Sequence, residues 1–148
     1  MSITFIVPGP PVGKGRHRTR VISPKSGGKP FAMNYPDEKT VNYENLVKMS
    51  FRQIHCGNPK EGPIHLSIIA CFPIPASTPK RLSHEMINES YPVTKKPDID
   101  NIAKAIIDGL NGVAFRDDAQ VYSIECTKYY SQNPRVVVTM TEQIKIQF

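Results

Sequence analysis

Apolar and polar residues alternate along several short stretches of this chain, a period of two that is typical of half-buried strands. In the clearest stretch, Ile64, Leu66 and Ile68 form one apolar face. Patterns of this kind predict four strands, at Ile3–Val7, Ile64–Phe72, Tyr122–Thr127 and Arg135–Met140. A hairpin is predicted from Arg18–Ile22 and Lys29–Met33, because residues 24–28 between them contain a proline and two glycines.

Apolar residues recur at helical spacing in two longer stretches. The first predicts a helix from about Asp37 to His55, with acidic residues in its first turn. The second predicts a helix from about Asn101 to Asn111, which Gly112 can terminate because glycine adopts a positive φ without strain.

The order of these elements predicts an α+β protein rather than a regular βαβ repeat. We expect one domain over residues 1–148, built as a mixed, mostly antiparallel sheet with two main helices on one face. A chain of 148 residues can bury one hydrophobic core but is short for two. A short polar helix is also predicted from Thr78–Pro79 toward Glu89, and Ile144–Phe148 is expected to form an edge strand or an arm that reaches a partner.

The formal net charge of the chain is +6, and the excess of basic residues is concentrated near the N-terminus. Six basic residues precede the first acidic residue, Asp37, and they account for the whole excess: Lys14, Arg16, Arg18, Arg20, Lys25 and Lys29. Such a patch favours phosphate backbones. We predict DNA contacts at Lys14, Arg16, His17, Arg18 and Arg20; the alternative is a solvated basic loop without a partner.

Other features narrow the class of protein. The cysteines, Cys56, Cys71 and Cys126, are isolated, so we expect reduced thiols in a cytoplasmic protein rather than a disulfide or zinc framework. No apolar run approaches the length of a membrane helix, and the first residues lack the features of a secretion signal. No Walker motif and no Ser-His-Asp order is present.

Candidate chemistry lies around the second predicted helix, in Asp98, Asp100, Lys104 and the pair Asp117–Asp118. Residues two apart in an extended segment point to the same side, so Asp98 and Asp100 are expected to face one point, with Asp100 at or near the helix N-cap. The loop that holds Asp117–Asp118 can fold back beside the helix start. Carboxylates without histidine or cysteine partners suit Mg²⁺ or Mn²⁺. We therefore predict a site that holds a divalent metal at Asp98, Asp100, Asp118 and Asp117.

A structural interpretation competes with the metal site. Asp100 can be a helix cap with Lys104 as its i+4 partner, an interaction of about 0.3–0.5 kcal/mol. Asp117 and Asp118 can form an ordinary turn. Asp108, four residues beyond Lys104, is predicted to be structural. The joint occurrence of these acidic residues in a basic protein favours the metal site.

Residues 96–121, KPDIDNIAKAIIDGLNGVAFRDDAQV, resemble the core motif of the RusA family of Holliday-junction resolvases. Residues 10–16, PPVGKGR, resemble the opening of that family, a turn of small residues that leads into basic ones. The core match is dense over some two dozen positions.

The resemblance implies a RusA-like fold and a homodimeric, Mg²⁺-dependent endonuclease that nicks four-way junctions symmetrically in DNA recombination and repair, leaving 5′-phosphate ends. It implies Asp98, Asp100, Lys104 and Asp118 as catalytic residues, with Asp117 as a neighbour that assists. Many members are borne by phages or prophages. Two alternatives stay open: a non-catalytic nucleic-acid-binding module, and a nuclease for other branched DNA.

Overall fold

The structure, a computed structural model, describes residues 1–88 and 91–144 of the chain. The strands of this part are β1 (Ser2–Pro8), β2 (Arg18–Ile22), β3 (Phe31–Tyr35), β4 (Ile64–Pro73), β5 (Val121–Ser131) and β6 (Arg135–Glu142). Its helices are α1 (Glu38–Ile54), α2 (Lys80–Ile87) and α3 (Ile99–Leu110), and a short 3₁₀ helix covers Asp118–Gln120.

Four strands form the main sheet in the order β1-β6-β4-β5. Strand β6 pairs antiparallel with both β1 and β4, and β5 pairs parallel with β4. One row across the sheet joins Phe5, Val138, Ile68 and Cys126, so these residues share a face. Strands β2 and β3 form a separate antiparallel hairpin.

Helices α1 and α3 pack on the apolar face of the main sheet and on each other. Val47 on α1 and Ile106 on α3 are fully buried, as is Ile68 on β4. The two helices approach closely at Gly109, where a Cβ atom would lie 2.8 Å from the Cβ of Val47. A glycine at this position lets α3 lie close to α1, and α3 in turn contacts β5.

The predicted α+β fold, with a mixed, mostly antiparallel sheet and two main helices on one face, is confirmed. Several boundaries differ. Strand β5 continues to Ser131 because it pairs with β4 along its whole length. Strand β3 starts at Phe31, and α2 starts at Lys80 because the first helical hydrogen bond runs from Ser83 N–H to the Pro79 carbonyl, at 2.9 Å. The predicted end of α2 at Glu89 and residues 145–148 of the predicted arm lie outside the described residues.

No helix in residues 1–88 and 91–144 combines the length and the apolar character that crossing a membrane requires.

Candidate active site

Helix α3 carries the central group of predicted site residues, and its sequence explains where they lie. Ile102 and Ile106 belong to a fully buried stripe, which fixes the side of the helix that faces the core. Asp100, Lys104 and Asp108 are spaced four residues apart, so they follow one another along a single polar stripe. The apolar pattern of the helix therefore turns these three ionisable side chains in a common direction.

A cleft of about 420 Å³ lies between this polar stripe and the start of β5. Its charged lining residues are Asp100, Lys104, Asp108 and Asp118, and we call it the acidic cleft. Val121 and Ile124 of β5 add an apolar wall. The acidic cleft thus brings together three of the four residues that the sequence predicts to be catalytic.

The loop that holds Asp118 is fixed by Gln120, a residue that sequence reasoning missed. The side-chain carbonyl of Gln120 accepts a hydrogen bond from the Asp117 N–H at 2.9 Å, and its amide group donates to the Lys60 and Gly62 carbonyls at 2.9 Å each. These bonds tie the loop to the chain that precedes β4. The signal in the sequence was the three-residue spacing of Asp117 and Gln120, which is that of a capping box.

Asp98 lies in a different cleft, because α3 begins earlier than expected. The helix starts at Ile99, and Asp98 is its N-cap, with its carbonyl accepting the Ile102 N–H at 3.0 Å. Asp100 therefore lies near the N-cap, as predicted, but in the first turn of the helix rather than at the cap itself. Two positions correspond to a rotation of about 200° around a helix axis, which turns Asp100 away from Asp98.

The cleft at Asp98 has a volume of about 430 Å³ and lies at the start of α3. Its charged lining residues are Lys14, Asp37, Lys39, Lys96 and Asp98. We call it the cap cleft. Asp117 is exposed and lines neither cleft.

Only some of the carboxylates predicted to bind a divalent metal are placed to do so. In residues 1–88 and 91–144, no three His, Cys, Asp or Glu side chains are placed to hold one ion together. Asp100 and Asp118 share the acidic cleft, however. Mg²⁺ is commonly held by one or two carboxylates, with water and substrate phosphate in the remaining positions. The oxygen donors of Asp100 and Asp118 therefore fit Mg²⁺ or Mn²⁺.

The ammonium group of Lys14 is held by two carboxylates. Its Nζ lies 2.5 Å from Glu44 Oε1 and 2.9 Å from Asp108 Oδ2, and its side chain is only 19% exposed. Burial alone would lower the pKa of Lys14, but the hydrogen bonds to Glu44 and Asp108 outweigh it and raise the pKa above its ordinary value. Lys14 therefore joins α1 to α3.

Glycines on both sides of Lys14 allow the segment to approach the two helices. A Cβ atom on Gly13 would lie 2.8 Å from the Cβ of Pro97, and one on Gly15 would lie 2.6 Å from the hydroxyl of Thr40. The Gly15 N–H donates to that hydroxyl at 2.8 Å. Larger side chains at either glycine would displace the segment.

Asp108 connects Lys14 to the acidic cleft. Its Oδ2 lies 3.8 Å from Lys104 Nζ. Within residues 1–88 and 91–144, Lys104 forms an ion pair with Asp108 alone. Because Lys104 is 61% exposed, the pair is weak, and its ammonium group remains accessible from the cleft. The predicted structural role of Asp108 agrees with these contacts.

The other basic residues predicted to contact DNA lie on the surface. Arg16, His17 and Arg20 are exposed. Arg18 is 68% exposed and reaches Asp37 Oδ1 at 3.0 Å. Their contacts with DNA stay a prediction.

Comparison with known proteins identifies the family. The family model described as endodeoxyribonuclease RusA matches residues 8–141 of this chain. The chain belongs to the RusA family. The matched residues include both clefts, so the RusA family assignment covers the candidate site as well as the fold.

The chain is also similar to a curated protein of Bacillus subtilis (strain 168) that carries the name uncharacterized protein YqaN. The two are 30% identical over 142 residues, which cover 95% of this chain and 96% of the relative. Membership of the RusA family indicates an endodeoxyribonuclease, and the name of this relative adds no activity.

Proposed function

We propose that this RusA-family protein is a divalent-metal-dependent endonuclease that resolves four-way DNA junctions by paired, symmetric nicks. The observation that carries the proposal is the acidic cleft, in which Asp100, Asp118 and Lys104 face one space at the surface. Phosphodiester cleavage requires groups that stabilise negative charge next to groups that position the reacting atoms. The acidic cleft provides both kinds of group.

Asp100 and Asp118 would hold Mg²⁺, for which Mn²⁺ can substitute. Bound there, the ion would stabilise the negative charge of the phosphate under attack. Asp98 and Asp117, the other predicted ligands, are assigned supporting positions, because Asp98 lies in the cap cleft and Asp117 is exposed. The products are expected to carry 5′-phosphate and 3′-hydroxyl ends.

Lys104 is assigned the role of a cation that contacts the scissile phosphate. Its ammonium group is exposed and only weakly paired, at 3.8 Å from Asp108. A phosphate oxygen can therefore approach it without breaking a strong ion pair. A lysine in this position favours the charge that develops in the transition state over the charge of the ground state.

Further proposals concern the assembly, location, pathway and origin of the protein. A homodimer with a twofold axis would present two acidic clefts to the two symmetry-related strands of a four-way junction, which accounts for paired nicks. We place the protein in the cytoplasm, in DNA recombination and repair, and its origin in a phage or prophage.

Cleavage of a labelled four-way junction with and without Mg²⁺ tests the proposal. Wild-type protein should nick two symmetric strands only when metal is present. Asp100→Asn should lower cleavage at least about a hundredfold while leaving junction affinity unchanged, because it removes a metal ligand and no phosphate contact.

The matched control is Glu125→Gln. Glu125 is an exposed acidic residue on the sheet face opposite the helices, since it pairs with Ser67 rather than with a buried residue of β4. Its variant should cleave like wild type. Junction binding without metal-dependent nicking by the wild type would instead identify a non-catalytic binding module. Faster cleavage of flapped or forked DNA than of four-way junctions would identify a nuclease for other branched DNA.

A further inference from the structure

The hairpin of β2 and β3 has two different faces. Its register pairs Arg18 with Tyr35, Arg20 with Met33 and Ile22 with Phe31. Paired residues of an antiparallel ladder lie on the same face, and alternate residues of a strand share that face. We call this side, made of these six residues, the arginine face. The opposite side carries Thr19, Val21, Ala32 and Asn34, and the Thr19 hydroxyl donates to Asn34 Oδ1 at 2.8 Å.

The arginine face exposes large apolar side chains next to its arginines. Phe31 is 50% exposed, Met33 51% and Tyr35 40%. Every residue of β3 is exposed, so the hairpin does not bury this face in the body of the protein. A two-stranded hairpin without a covered apolar face is marginally stable in water. A contiguous exposed patch of this kind marks an interaction surface.

The positive charge of the hairpin favours a polyanion over a second copy of the hairpin as the partner of this patch. The hairpin and its turn carry Arg18, Arg20, Lys25 and Lys29, and no acidic residue precedes Asp37. Two such hairpins facing each other in a dimer would repel. A polyanion would be attracted, and its bases offer flat apolar surfaces for the side chains of Phe31 and Tyr35.

The arginine face also continues toward the cap cleft. Arg18 and Tyr35 line a depression of about 730 Å³ together with Asp37 and Lys39. Asp37 and Lys39 in turn line the cap cleft with Asp98. A DNA strand that lies along the hairpin would therefore reach the start of α3. A membrane surface or an unrelated protein partner would not require this continuity between the hairpin and the helix.

We propose that the arginine face is the part of this protein that recognises the branch point of DNA. Phe31 and Tyr35 stack on bases that are unstacked at the branch, Met33 fills the space between them, and Arg18 and Arg20 contact the flanking phosphates. Bases within a continuous duplex are already stacked on their neighbours, so the apolar contacts form only at a branch. This inference rests on the proposed function and assigns its substrate selectivity to the hairpin.

The test compares a double variant, Phe31→Ala with Tyr35→Ala, with the control Val21→Ala. Val21 lies on the opposite face of the same hairpin and is 68% exposed. Affinity is measured without divalent metal for a four-way junction and for a plain duplex of the same length. A 2-aminopurine base at the branch reports unstacking through its fluorescence.

The double variant should bind the junction at least about tenfold more weakly, as expected for lost base stacking. It should bind the duplex like wild type and lose the change in 2-aminopurine fluorescence that wild-type binding produces at the branch. Val21→Ala should match wild type in all three measurements. Tyr35→Phe, which keeps the aromatic ring, should retain junction affinity, and the unchanged duplex affinity of the double variant would exclude a folding defect.

An unchanged ratio of junction to duplex affinity in the double variant would overturn the inference, whether both affinities stay the same or both fall. Loss of binding to vesicles that contain phosphatidylserine, with both DNA affinities unchanged, would assign the face to a membrane and also overturn it. The proposed nuclease function is judged separately, by metal-dependent nicking of the junction. Selective binding without nicking would reject the nuclease and keep the hairpin assignment.

Discussion

Lys14 and Arg16 are two residues apart and both basic, yet their surroundings differ. Lys14 is mostly buried between Glu44 and Asp108, whereas Arg16 is exposed. A cation that two carboxylates already neutralise gains little from a DNA phosphate, while an exposed arginine can release counterions when it binds one. We therefore assign Lys14 to the support of the acidic cleft and keep Arg16 as a DNA contact.

Lys14→Met separates these two roles. It leaves Glu44 and Asp108 without their common partner, so we expect a loss of about 1–3 kcal/mol in the free energy of unfolding. Cleavage should fall, because Asp108 also contacts Lys104. The dependence of junction affinity on salt should stay the same.

Arg16→Ala should have the opposite effects. Its stability should be unchanged, and the slope of log affinity against log salt concentration should become flatter by about one. A salt slope in Lys14→Met that is as flat as in Arg16→Ala would contradict the assignment.

The pKa of Lys14 sets the pH range of this effect. Because the pKa is raised in the folded protein, the ion pairs contribute fully below the ordinary lysine pKa of 10.5 and are lost only as the pH rises through the raised value. The stability difference between wild type and Lys14→Met should therefore be constant from about pH 6 to 9. Denaturant unfolding across this range measures it.

At the scale of elements, the site depends on how two short segments are fixed to the sheet and helices. The apolar stripe of α3 presents Asp100, Lys104 and Asp108 on one side. The loop before β5 presents Asp118, and Gln120 anchors that loop to the chain before β4. The geometry of the acidic cleft therefore depends on the packing of α3 and on the anchoring of the loop by Gln120.

Gln120→Ala removes the anchor of the loop. The Lys60 and Gly62 carbonyls lose their donor, and Asp118 is expected to move relative to α3. Displacement of a reacting group by about 1 Å can lower the rate a hundredfold, so we expect cleavage to fall by up to that factor at saturating junction. Junction affinity should stay the same. Gln120→Glu should be impaired as well, because a carboxylate cannot donate to the two carbonyls; full activity in this variant would exclude the anchoring role.

The sequence was sufficient for the elements whose apolar spacing is regular, such as β4 and α3. It left the start of α3 ambiguous, because Asp98 and Asp100 both belong to a residue type that caps helices. The position of the first helical residue matters, because a helix that starts at Ile99 turns the carboxylates of Asp98 and Asp100 into separate clefts. The contact of Lys14 with Asp108 joins residues far apart in the chain, and no local pattern predicts such a pair.

At the scale of the whole molecule, charge is separated into two regions. The basic residues before Asp37 include the hairpin, and the acidic cleft lies at the junction of α3 and β5. Basic surface attracts DNA from a distance, and a small acidic site within reach of the bound strand can hold a cation against the phosphate. In the proposed function, this separation lets one chain bind a polyanion and keep carboxylates beside it.

Paired nicking requires two such sites. We expect sedimentation equilibrium to give the mass of two chains at the concentrations at which junctions are cleaved. Mixing wild type with Asp100→Asn should yield heterodimers that nick only one of the two strands. A protein that sediments as a single chain and still nicks both strands in one binding event would rule out the dimer.

The central claim is that Asp100 and Asp118 hold a divalent metal in the acidic cleft. Crystals soaked in Mn²⁺ test it most directly, through the anomalous difference map collected at the manganese edge. We expect a peak between these two carboxylates in wild type and no peak in Asp100→Asn. A wild-type map without a peak in the acidic cleft, from crystals whose cleft is open to solvent, would contradict the metal-dependent mechanism.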